Sequence, residues 1–64
     1  MIKVEISMRG ELYTQELKEG ATGRDLKNKF NLPALYYLGG RQLDSELRLK
    51  DGDKIEIVFV FGGG

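Results

Sequence analysis

Few side chains in this sequence can carry out chemistry. There is no cysteine and no histidine, which excludes thiolate nucleophiles, disulfide staples, structural zinc sites and every triad built on an imidazole base. Ser7 and Ser45 lack such a base, so neither is a candidate nucleophile. Asp51-Gly52-Asp53 has the spacing of an opening calcium loop, but the other ligand positions and the closing bidentate Glu are missing, so it reads as a turn. What remains is the end of the chain, Phe61-Gly62-Gly63-Gly64. Glycine has no Cβ, so this segment can extend into a narrow channel and place a terminal carboxylate beside a reactant without steric conflict. Taken alone, three glycines are more often a frayed end or an engineered scar. The choice depends on what precedes them.

Ile2, Val4, Ile6 and Met8 alternate with Lys3, Glu5 and Ser7, the period of a half-buried strand. Arg9-Gly10-Glu11 interrupts the alternation and Leu12 to Leu17 resumes an extended composition with Tyr13 and Thr14 inside it, which predicts a hairpin. Thr22 followed three residues later by Asp25 is a weaker form of the Thr-x-x-Glu capping box, and it starts a helix. Leu26 and Phe30 share the helix face that must lie on a sheet, while Asn31 and Pro33 limit the helix to about residues 22–31. Ala34 to Leu38 predicts a third strand, closed by Gly39-Gly40, and Arg41-Gln42-Leu43 a brief pairing beyond it. Leu47 and Leu49 are spaced to enter the core from a loop. After the turn at Lys50 to Asp53, Lys54 to Phe61 is the longest β-branched and aromatic run, which makes it the candidate central strand. Period two directs Ile55 and Ile57 to the helix, leaving Val58 and Val60 on the solvent side beside the glycines.

These elements make one domain of 64 residues, with 41% hydrophobic and 31% charged residues, an ordinary globular balance. Ten Lys and Arg offset ten Asp and Glu, so no net charge draws the chain to nucleic acid or an anionic membrane. Arg24, Lys27 and Lys29 are interleaved with Asp25 and read as a solvated helix face. Tyr13, Tyr36 and Tyr37 read as strand-forming and packing residues rather than a base-stacking platform. The absence of cysteine, of a signal segment and of a long apolar span makes a cytoplasmic protein the expectation. The order strand, strand, helix, strand, short strand, strand describes an α+β fold, a mixed four- to five-stranded sheet with one main helix across one face.

The opening Met-Ile-Lys-Val-Glu-Ile, Gly20-Ala21-Thr22 with Asp25-Leu26, Leu49 to Ile57 and the terminal Gly-Gly together resemble the ubiquitin-like β-grasp sulfur carriers. The resemblance is to the thiazole-pathway carrier and the small subunit of molybdopterin synthase, over nearly the whole chain. Gly40-Arg41-Gln42-Leu43 is similar to the corresponding turn of ubiquitin itself. Three features depart from the carriers: Gly39-Gly40 stands where they often have Asn-Gly, Leu38 to Lys50 is closer to a ubiquitin-type modifier, and Phe59 and Phe61 are bulkier than the usual aliphatics.

The resemblance implies a β-grasp domain over residues 1–61 and a flexible tail over 62–64. It also implies that the Gly64 carboxylate is adenylated by an E1-like adenylating enzyme, with Gly62 and Gly63 threading into that enzyme. ATP belongs to the enzyme, and the chain itself holds no cofactor and is not the catalyst. The adenylate then becomes a thiocarboxylate for a sulfur-accepting synthase, in cofactor biosynthesis or tRNA thiolation, or joins a lysine of a target protein. A non-covalent interaction module with an inert tail is the remaining alternative. Val58, Val60 and Phe61 are the expected contacts with the partner.

Overall fold

The computed structural model describes residues 1–60. Strands β1 (Ile2–Met8) and β2 (Glu11–Leu17) form an antiparallel hairpin whose register runs unbroken from Ile2↔Leu17 to Met8↔Glu11. Its two-residue turn, Arg9-Gly10, has φ of 53° and 77°. Two successive positive φ values match the right-handed twist of the flanking strands, and glycine at the second position accepts one without strain.

Helix α1 (Gly23–Phe30) starts as the sequence predicts. Thr22 is its N-cap and forms a reciprocal capping box with Asp25, and Asn31 closes it in the left-handed conformation, with its N–H on the Lys27 carbonyl. Two further first-turn N–H groups are satisfied from outside the helix: Gly23 donates to the Leu47 carbonyl at 2.9 Å and Arg24 to the Ser45 carbonyl at 2.8 Å. This contact requires glycine at position 23, because a Cβ there would collide with the Asp44 carbonyl oxygen. It also explains why Leu47 departs from expectation. Leu49 enters the core, but Leu47 is exposed, because the turn presents its carbonyl to the helix and its side chain to solvent.

Strands β3 (Ala34–Leu38), β4 (Arg41–Gln42) and β5 (Lys54–Phe59) complete a five-stranded mixed sheet in the order β2-β1-β5-β3-β4. β5 is central as expected, parallel to β1 and antiparallel to β3. It ends at Phe59, two residues earlier than the composition indicates; the Val60 N–H instead reaches the Pro33 carbonyl at 3.4 Å. The expected boundary between Phe61 and Gly62 lies outside the described residues. Val4, Ile6, Leu17, Leu26, Tyr36, Ile55 and Ile57 form one core between sheet and helix with Ala21, Leu43 and Leu49. Among the described residues no polar or charged side chain is buried. Tyr36 packs in that core, whereas Tyr13 is an exposed strand residue.

Candidate partner-binding surface

The strand that leads to the glycines alternates as its sequence requires. Ile55 and Ile57 are buried under the helix, while Val58 and Val60 are 43% and 55% exposed. Their phase follows from period two once the isoleucines are fixed inward. Register places Leu35 of β3 directly across from Val58, so a third apolar side chain joins the patch. Leu35 is 37% exposed, and Leu12, two strands away on β2, is the most exposed of the sheet's apolar side chains. Sequence reasoning missed both. Leu35 was legible only as the outward neighbour of Tyr36, and its meeting with Val58 depends on cross-strand register.

Beyond these three apolar residues the helix-free face is charged and mixed in sign. Register sets Glu56 beside Ser7 on one strand and Tyr37 on the other, and Glu5 beside Lys54. A shallow groove of about 360 Å³ runs over these side chains, bordered by Leu12 and by the Gly39-Gly40 turn. Apolar side chains rimmed by charged ones are what a protein interface presents. On the helix side of the same strand end, the Arg9 guanidinium lies 4.5 Å from the centre of the Phe59 ring, a cation–π contact that covers part of the last strand residue. Nearby, the Tyr13 hydroxyl donates to Glu11. That bond, and then the carboxylate's charge, raises the Tyr13 phenol above its ordinary pKa.

The surface therefore brings together Val58 and Val60, two of the expected contact residues. Phe61 and the expected reactive and threading residues Gly62, Gly63 and Gly64 lie outside the described residues. Among the described residues, no group of three or more Asp, Glu, His or Cys side chains converges to hold a metal ion. No described helix is long and apolar enough to cross a membrane.

The sheet order, the single helix across one face and the parallel pairing of first and last strands define the ubiquitin-like β-grasp fold, and this chain has it. Ubiquitin of Caldiarchaeum subterraneum superposes with a TM-score of 0.76 at 22% identity, over 98% of each chain. The Pyrococcus furiosus protein assigned as molybdopterin converting factor subunit 1 gives 0.78 at 21% identity, over 94% of this chain and all of that one. A ubiquitin-like domain from Arabidopsis thaliana gives 0.73 at 17% identity. No family model and no curated protein sequence matches the chain. At such identities the likeness is one of fold.

Proposed function

We propose that this chain is a ubiquitin-like sulfur carrier whose Gly64 carboxylate is the reactive group. The observation that carries the reading is the course of β5: a central strand, paired on both sides, exposes Val58, the next outward position past its end is the exposed Val60, and the sequence then runs into Gly62-Gly63-Gly64. A partner that grips the valines holds a narrow segment at a fixed distance from its own active site. An E1-like enzyme supplies ATP. The Gly64 carboxylate attacks the α-phosphorus, pyrophosphate leaves, and the product is an acyl adenylate. A hydrosulfide-equivalent donor then expels AMP and leaves a thiocarboxylate, which passes sulfur to a synthase of cofactor biosynthesis or tRNA thiolation in the cytoplasm. The chain is the substrate throughout, and it supplies position rather than proton transfer.

A second reading is favoured by the comparable superposition on archaeal ubiquitin and by the ubiquitin-like turn at Gly40 to Leu43. In that reading a lysine amine expels AMP and an isopeptide bond joins Gly64 to a target protein. Removing Gly64, or adding one residue after it, should abolish ATP–pyrophosphate exchange with the cognate activating enzyme and leave the melting temperature unchanged. Normal exchange with a blocked end overturns both readings. The intact mass of protein from its native cell separates them: replacing one carboxylate oxygen by sulfur marks a carrier, and a lysine-linked adduct marks a modifier.

A further inference from the structure

Arg9 occupies a position that its residue type does not favour. It is the first residue of the two-residue turn between β1 and β2, with φ of 53°. Asn, Asp or Gly usually fill that place, because a left-handed backbone crowds the Cβ of other residues. Asn31 is the other described non-glycine residue with positive φ, and its type accepts that conformation readily. A strained arginine is retained where its side chain makes an interaction that the smaller residues cannot. Here the guanidinium lies 4.5 Å from the centre of the Phe59 ring.

Phe59 is the last residue of β5, where the ladder thins. β1 follows β5 as far as Met8↔Ile57, and β3 follows it to Ala34↔Phe59. The next residue, Val60, donates to the Pro33 carbonyl at 3.4 Å, and a proline has no N–H with which to return the bond. Arg9 comes directly after Met8, so its side chain reaches Phe59 from the strand that β5 is leaving. The ring lies outside the buried core and borders an open groove of about 370 Å³ with Met8 and Leu32. Glu11, the carboxylate on that groove, is engaged by the Tyr13 hydroxyl, which limits its pull on the guanidinium.

We propose that Arg9 is a positioning residue for the activation of Gly64: by holding the Phe59 ring it fixes the point from which residues 60–64 reach into the adenylating enzyme. The role rests on the reading of the Gly64 carboxylate as the reactive group. Those five residues span at most about 16–18 Å when extended. Over so short a reach, motion at the root carries through to the carboxylate, and an enzyme that takes a loosely rooted segment must first order it. That entropy is lost on binding, ahead of the chemical step. Loss of the contact therefore raises KM and leaves kcat alone. One exposed cation–π contact sets the size of the effect, about two- to fivefold.

Three variants of the full chain test this: Arg9→Gly removes the cation and relaxes the turn, Arg9→Lys keeps a cation, and Phe59→Leu removes the ring. In ATP–pyrophosphate exchange with the E1-like enzyme of the native cell, Arg9→Gly should raise KM for this chain about two- to fivefold at unchanged kcat. Its melting temperature should change little, since relief of the turn offsets the lost contact. Arg9→Lys should stay closer to wild type, and Arg9→Gly should add nothing in a Phe59→Leu background. The free chain supplies a reading that needs no enzyme: Arg9→Gly should speed hydrogen exchange of the Val60 amide by a similar factor, with that of Ile6 in the middle of β1 unchanged. An unchanged KM, a loss confined to kcat, or an unchanged Val60 amide would each overturn the proposal. A wild-type chain inert in pyrophosphate exchange would overturn the Gly64 reading and the role together, and the Val60 amide would still show whether Arg9 holds the strand end.

Discussion

Thr22 and Asp25 satisfy each other's main chains at the start of α1. The Thr22 hydroxyl accepts from the Asp25 N–H at 3.4 Å, and the Thr22 N–H donates to the Asp25 carboxylate at 2.9 Å. Thr22→Ala leaves one first-turn donor without its partner and should cost about 0.5–2 kcal/mol, read from the urea midpoint. The carboxylate side of the box is visible in pH. The Thr22 N–H, foremost among its neighbours, holds the Asp25 carboxyl below the ordinary carboxylate range. With the folded-state pKa depressed, the contribution is complete above the unfolded value of about 4 and is lost as pH falls through the lower, folded value. Asp25→Asn should therefore show a shallower loss of stability than wild type between about pH 5 and pH 2, measured by urea titration across that range. An unaltered acid slope would mean that the carboxylate contributes nothing to the cap.

At the scale of the element, the 44–47 turn and α1 are joined through main-chain hydrogen bonds that only a bare backbone at Gly23 permits. Gly23→Ala would favour an isolated helix by helix propensity, yet here it should destabilise by about 1–3 kcal/mol, because the Asp44 carbonyl must move. A rise in melting temperature would show that the turn yields at no cost. The phase of β5 has its own test. Under the proposed function, Val58→Asp with Val60→Asp should weaken binding to the proposed activating enzyme at least tenfold, the equivalent of about 1.4 kcal/mol, while the melting temperature changes little. Ile57→Asp places a carboxylate in the core and should unfold the domain. Unchanged enzyme binding by the double variant would move the docking surface elsewhere on the molecule.

At the scale of the molecule, the first and last strands pair in the middle of the sheet, with Glu5 beside Lys54 and Met8 beside Ile57. Neither half of the chain can form its core without the other. A core of this size, with no cysteine to form a disulfide, stabilises by only about 3–5 kcal/mol. Ile55 is 1% exposed in the central strand, and Ile55→Ala should cost about 2–5 kcal/mol, which is comparable to the whole. Circular dichroism at 25 °C should show a substantial unfolded population for this variant, and full retention of structure would place Ile55 outside the cooperative core.

Much of this was legible from local pattern. Period two in Ile2 to Met8 and in Lys54 to Phe59 fixed which side chains turn inward, because a strand has only two faces and the helix covers one. Thr22, Asp25, Asn31 and Pro33 bounded the helix because caps act through residues three or four positions apart. The candidate site was only half legible: the exposure of Val58 and Val60 followed from phase, but the addition of Leu35 required the register of β3 on β5. Only the assembled fold showed that Leu47 turns outward so that its carbonyl can cap the helix, and that β2 lies at an open edge while β5 lies at the centre. Alternation in a strand determines its faces, but which main-chain groups find partners depends on distant segments, and no local spacing encodes it.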